Sequence, residues 1–340
     1  MGVLGSKATP MKIFQHCLTF LSLLAILAFA VVVTGDRNVN HTLYLEQAVP
    51  ECRVVQHVMG ETCIPYNPKR VIIISPIILG NALVLGIKPI GSTSQLQDEE
   101  KLTATYLNNK TYLGNQVEKI KHIGRANPLN LEKILLLKPD LILAWKYARA
   151  SYSFLSQISP TVIAPYPGSQ TWREHFNFLA EALGKKEAAQ QAWNHYYQQI
   201  EKIKLALGNR YKNKTISVIG FSRTGLIYTH VKNSFPGSIL DDIGLQRPKS
   251  QNIIVPGGVI NSISEERLGE IDCDILFIEI SDKRNRESLE KLLQKPLWKS
   301  IKAVREERVY PVQYTTWIGS NLVAADAVID DLYKYLINTP

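Results

Sequence analysis

Aromatic and basic residues recur in this chain where apolar runs end. DLILAW closes on Trp145 and is followed by Lys146, Tyr147 and Arg149. TVIAPY ends in Tyr166, and HIG leads to Arg125. TISVIGF leads to Ser222 and Arg223, and GLIYTH to Lys232. DILFIEI leads to Lys283, Arg284 and Arg286, and RVYPV to Tyr314 and Trp317. Guanidinium groups clamp carboxylates or phenolates, and aromatic faces pack against the remainder of a bulky ligand. Gathered at one rim, these residue types describe a cleft for a large anionic molecule.

Other chemistry is weakly represented. Gly220-Phe-Ser222-Arg-Thr-Gly225 approaches a nucleophile elbow, but its last glycine comes one residue late and a strand-like GLIYTH follows where a helix is required. A secreted hydrolase using Ser222 is the alternative from the enzyme class. Neither a GK[ST] phosphate loop nor a GxGxxG after the first apolar run is present. The seven histidines (16, 41, 57, 122, 175, 195 and 230) have no close metal-ligand spacing, so no metal site is expected; convergence of His57, His122, His175 and His230 across lobes, as in a direct metal receptor, is the alternative. Net charge is +9, yet no Lys/Arg run of the nucleic-acid-binding kind occurs, so nucleic acid is not an expected partner.

The elements that must position the rim residues follow from hydrophobic pattern. From residue 70 onward, short β-branched runs alternate with capped amphipathic segments, which implies parallel or mostly parallel sheets. In open α/β sheets a ligand sits outside the carboxyl ends of the strands, where the aromatic and basic residues collect. The alternation breaks at residues 172–207, which hold no proline and one glycine, Gly184. A helix over 185–207 would reach about 35 Å, long enough to cross between two lobes. Strand and helix then alternate again to the C-terminus. The fold class expected is α/β: two Rossmann-like lobes with mostly parallel sheets, joined by a long bridging helix. The corresponding divisions are 1–35, 36–66, 67–171, 172–210 and 211–340.

The second half echoes the first. Glu132, Lys133, Ile134, Leu137 and Asp140-Leu-Ile-Leu match Glu266, Arg267, Leu268, Ile271 and Asp274-Ile-Leu-Phe at an offset of 134 residues without a gap. A helix-turn-strand unit is built twice, each with a glutamate in the first helical turn, where the helix dipole favours a carboxylate.

Residues 13–35 carry no charge and follow Lys7 and Lys12, the layout of a secretory signal that is also long enough to be an anchor. Either places the remainder outside the cytoplasm, and Met11 is a second candidate start. No cysteine closely follows the apolar run, so a lipoprotein cleavage site is not visible. Cys52 and Cys63 flank a hairpin-like CRVVQHVMGETC and are read as a disulfide, with two free thiols as the alternative. Cys273, in IDCDILF, is read as an inert core thiol.

PKRVIIISPIILGNALVLGIKPIGS, KHIGRANPLNLEKILLLKPDLILAW and VYPVQYTTWIGSNLVAADAVIDDLYKYL resemble the periplasmic iron-siderophore-binding proteins of ABC importers, a class with a helical backbone between lobes. The paired cysteines resemble a variant found in cyanobacterial members. The resemblance covers residues 50–338. It implies a monomeric binding protein that captures a ferric siderophore between its lobes and delivers it to an inner-membrane permease. Iron arrives inside its chelate, so no cofactor is implied. Cobalamin and haem receptors belong to the same class and stand as alternatives. The family's docking glutamates lie in the two echoed motifs, which carries the permease-docking role onto Glu132 and Glu266.

Overall fold

Glycine and a tight turn fold the first described segment back on itself. In the computed structural model, which describes residues 52–94, 112–165, 172–222, 226–281 and 283–338, β1 (Cys52–His57) and β2 (Gly60–Pro65) pair antiparallel. The turn leaves Gly60 at φ 113, a conformation that favours glycine. The Cys52–Cys63 disulfide crosses this hairpin with the Cα atoms 5.5 Å apart.

The first lobe runs β3 (Val71–Ile74), α1 (Pro76–Val84), β4 (Gly91–Ser94), β5 (Lys121–Arg125), α2 (Leu131–Leu136), β6 (Leu141–Ala144), α3 (Tyr152–Ile158) and β7 (Thr161–Ile163). Its sheet has the order β5-β4-β3-β6-β7, parallel throughout. Asn130 caps α2 by accepting from the Lys133 N–H. Next come α4 (Trp172–Ala182) and α5 (Lys186–Leu207). Gly184 at φ 64 ends α4, and its N–H donates to the Glu181 carbonyl. Arg53 from the hairpin reaches this junction and donates to the Ala182 carbonyl at 3.2 Å, a cation placed at a helix C-terminus.

The second lobe runs β8 (Ile216–Phe221), β9 (Ile227–His230), α6 (Phe235–Ile243), β10 (Val259–Ile263), a 3-10 helix (Glu265–Ile271), β11 (Ile275–Ile280), α7 (Lys283–Leu293), α8 (Pro296–Lys299), α9 (Lys302–Arg305), β12 (Val309–Gln313), α10 (Tyr314–Trp317) and α11 (Leu322–Leu336). The sheet order is β10-β9-β8-β11-β12. This sheet is mixed rather than mostly parallel: β9 is antiparallel to both β8 and β10. The loop between β8 and β9 is far too short for a crossover, so β9 must fold straight back.

The alternation of the strands sorts their residues onto two faces. Ile72, Ile74, Ile142, Ala144 and Ile163 form an outer core in the first lobe, and Ile219, Leu276, Ile278 and Ile280 belong to one in the second. Val71, Ile73, Leu141 and Leu143 share a third core with Ile216, Val218, Ile275 and Phe277. Residues of α5 and α11 fill that third core, among them Ile200, Ile203, Val328 and Leu332. The helix α5 touches α1, α6 and α11, and so meets both lobes. Polar contacts lock it there. Arg173 and Tyr196 both donate to the Asp242 carboxylate (2.5 and 2.6 Å), and Trp172 Nε1 donates to Ser238 Oγ at 3.0 Å. Gly80 of α1 lies against the Asn321 cap of α11, where a Cβ would come within 2.4 Å of Asn321 Cγ.

The echoed aspartates have one structural job. Asp140 accepts from the Lys69 and Arg70 N–H groups (2.7 and 2.9 Å), just before β3. Asp274 accepts from the Thr215 N–H (2.8 Å), just before β8. β6 and β11 occupy the same place in their sheet orders, so each aspartate clamps the chain entering the neighbouring strand.

Candidate ligand-binding site

Five of the rim residues keep the placement that their strands give them. Trp145 follows β6 and is half-buried, with its ring edge-on to Tyr147 at 5.6 Å and to His175 at 6.3 Å. Lys146 Nζ lies 5.0 Å from the Trp145 ring centre and 5.2 Å from that of Tyr147, so the ammonium is held over two aromatic faces. Tyr147 is 56% exposed. Arg125 ends β5 and is exposed, and Tyr314 directly follows β12 and is half-buried.

Two expectations, Lys232 and Trp317, are corrected. Lys232 is not on the rim. Because β9 runs backwards, its C-terminal end points away from Ser222, and Lys232 instead lies 3.7 Å from Asp241. Trp317 is wholly buried; its ring packs 4.8 Å from Phe277 and its Nε1 donates to Asp331 at 2.8 Å. It is core, because α10 tucks back under α11. Arg286 is exposed and lines a cavity of about 410 Å³ beside β12, whose wall also includes Tyr112, Gln313 and Asp330. Ser222 is exposed, and its Oγ accepts from the Leu226 N–H at 3.1 Å within the β8–β9 turn. A strand follows it rather than a helix, so the elbow geometry is absent. Arg284 belongs to α7, which opens after the carboxyl end of β11. Tyr166 and Arg223 lie outside the described residues, as do residues 1–35. Cys273 is buried, and burial pushes its thiol up to about 12, in keeping with an unreactive core residue.

Glu132 and Glu266 are both exposed. α2 descends from the carboxyl end of β5, and the 3-10 helix Glu265–Ile271 descends from that of β10. Both glutamates therefore stand at the strand-carboxyl end of their lobes. The Glu266 carboxyl is held below its ordinary range by hydrogen bonds from the Ser264 side chain and its own backbone. Among the described residues, no group of three or more His, Cys, Asp and Glu is placed to hold a metal ion. His57, one of the scattered histidines, bonds Thr62 Oγ1 at 2.8 Å across the hairpin.

One cluster escaped the sequence reading. Glu279 of β11 is 1% exposed. Its Oε2 accepts from the Tyr228 hydroxyl at 2.5 Å, and its Oε1 lies 3.0 Å from His230 Nε2. Burial, followed by the charge of Glu279, pushes the Tyr228 phenol well above its ordinary range, so it stays protonated and donates. The signal was present: ILFIEI, the run after Asp274, has one acid among otherwise apolar buried residues.

Comparison with known proteins decides the family. The model of the family described as "Periplasmic binding protein" matches residues 84–313, well over half of the chain. This chain belongs to the periplasmic binding protein family. The binding protein is 28% identical over 333 residues to the probable siderophore-binding lipoprotein YfiY of Bacillus subtilis, covering 94% of this chain and 97% of the relative. It superposes on Staphylococcus aureus SirA complexed with staphyloferrin B with a TM-score of 0.70 and 26% identity, over 84% of this chain and 98% of that one. Bacillus subtilis FeuA complexed with ferri-bacillibactin gives 0.65 and 25%, over 84% and 99%. The relatives are described as siderophore-binding or ABC transporter substrate-binding proteins, and the two α/β lobes on a helical backbone are the architecture that these structures share with it.

Proposed function

We propose that this binding protein captures a ferric siderophore in the cleft between its lobes and delivers it to the permease of an ABC importer. The observation that carries the reading is the Trp145–Lys146–Tyr147 cluster at the carboxyl end of β6, with Arg125 and Tyr314 at neighbouring strand ends. Cations held over aromatic faces suit the negatively charged donor groups and flat carbon skeleton of a chelate. Arg223, Arg284 and Tyr166 join them by their positions in the sequence. Iron is cargo inside the chelate, so the protein supplies shape and charge rather than metal ligands. The relatives named above include a probable siderophore-binding lipoprotein, a protein complexed with staphyloferrin B and a triscatecholate siderophore-binding protein, which supports the ligand class. The site of action is the periplasm, reached through residues 1–35. Glu132 and Glu266 form a pair of docking anchors, one per lobe, for a two-fold permease.

Fluorescence titration tests the reading. Ferric citrate, ferric desferrioxamine and ferri-bacillibactin are added separately to the purified protein. At least one is expected to quench Trp145 emission saturably. Saturable binding of cyanocobalamin or haemin, with none of the three ferric chelates, would overturn it.

A further inference from the structure

We infer that Tyr228 is an aromatic platform on the floor of the second lobe's half of the cleft, held flat by Glu279 and admitted by the missing side chain at Gly220. The inference rests on the ferric-siderophore reading and names a contact within that site.

Three adjacent strands carry the geometry. Gly220 of β8 is paired with Tyr228 of β9, and Glu279 stands in the same row of β11, one residue beyond the Ile278–Ile219 pair. Tyr228 therefore lies across β8 to reach the carboxylate. A Cβ on Gly220 would fall 2.2 Å from the Tyr228 oxygen and 2.8 Å from Glu279 Oε2. Contact that close with both ends of the hydrogen bond means that any side chain at 220 must displace the tyrosine. Gly220 shares its strand face with Ile216 and Val218, which belong to the core shared with the first lobe. The platform thus looks toward the first lobe, one row below the carboxyl end of β8, and Tyr314 lies near enough to act electrostatically on its phenol.

The hydrogen bonds fix the ring and define what it offers. An ionised Glu279 accepts only, so the Tyr228 hydroxyl and His230 Nε2 both donate to it. Among the described residues His230 Nδ1 has no hydrogen-bond partner, so the ring's hydrogen bonding runs through Nε2 to Glu279. A carboxylate bonded from two sides is a rigid anchor. With its hydroxyl spent on Glu279, Tyr228 presents its ring to the cleft, and the ring packs against methylene or aromatic parts of the ligand. That contact complements the cationic Trp145–Lys146–Tyr147 cluster of the first lobe.

A double-mutant cycle tests this with ferric citrate, ferric desferrioxamine and ferri-bacillibactin as probes. Tyr228→Ala is expected to weaken the bound chelate by about tenfold or more, the loss of one desolvated aromatic contact. Gly220→Ala should weaken it similarly by lifting the ring. If Gly220 acts through Tyr228, Gly220→Ala with Tyr228→Ala binds no worse than Tyr228→Ala alone. Tyr228→Leu, which keeps apolar volume, should recover part of the affinity, and thermal melting of each variant checks that it is folded. Affinity of folded Tyr228→Ala within about twofold of the unmodified protein, or additive losses in the double variant, overturns the platform while leaving the siderophore reading intact. Failure of the unmodified protein to bind any of the three chelates overturns both.

Discussion

Replacing Asp274 by Asn should destabilise the fold by an amount that depends on pH. The carboxylate accepts from Lys302 Nζ at 2.7 Å, Lys214 Nζ at 3.4 Å and the Thr215 N–H at 2.8 Å, and its side chain is 10% exposed. Burial alone would raise its pKa. The bonds from Lys302 and Thr215 and the charge of Lys302 outweigh burial and hold it at about 2, against an ordinary 3.8. At about 1.4 kcal/mol per unit, that gap corresponds to about 2.4 kcal/mol of stability at neutral pH. Both lysines are more than a third exposed, and screening reduces the figure to about 1–2 kcal/mol. The folded pKa is depressed, so the contribution is complete above pH 3.8 and disappears as pH falls through 2. Asn keeps one acceptor, for the Thr215 N–H, but loses the charge and sets an NH2 donor where the other oxygen accepts from the lysines. Urea denaturation of both proteins at pH 7 and pH 3 measures the gap, which should shrink by about half at the lower pH. A gap that is the same at both values would refute the ion-pair account.

Glu132→Arg combined with Glu266→Arg should leave siderophore affinity near that of the unmodified protein and abolish uptake, both measured on the same variant. Normal uptake would remove the docking role, and lost binding would show that these carboxylates shape the cleft. Lys146→Ala should weaken the ferric chelate by about tenfold if the ammonium is buried against the ligand, and titration at two salt concentrations checks that the loss is electrostatic. Small-angle scattering with and without chelate should show a tilt of a few degrees at most, since α5 and α11 pack against both lobes. A large fall in radius of gyration would contradict that packing.

The architecture was legible where one physical signal dominated. Runs such as VIII and ILFIEI can only be buried strands, Gly184 can only end a helix cheaply, and Asn130 caps as its type suggests. The 134-residue echo also has a counterpart, since β6 and β11 hold equivalent places. What failed was direction. Nothing in GLIYTH says that β9 runs backwards; only the shortness of the loop before it does, and so Lys232 was set at the wrong end of its strand. VINSI, now β10, was too polar to register as a strand. Trp317 illustrates a different limit: a tryptophan just after a strand reads the same whether its helix turns toward a cleft or into the core. The Tyr228–Glu279 bond joins residues 51 positions apart, a separation that local pattern does not reach.

The third core has a consequence for the order in which the molecule is made. Val71 and Leu141 share one core with Val328 and Leu332 of α11, which packs on α1 and α5 and occupies the last stretch of the chain. A growing polypeptide therefore holds every strand of the first lobe long before the surface that closes over them exists. The first lobe is therefore expected to stay incomplete until that last stretch is present, and the whole protein to close in one cooperative step instead of lobe by lobe. A chain ending before Leu322 is expected to keep helical far-UV dichroism, lose its near-UV signal and bind a hydrophobic dye, the behaviour of a collapsed state without fixed packing. A truncated chain with a sharp thermal transition would instead mean that the first lobe matures alone.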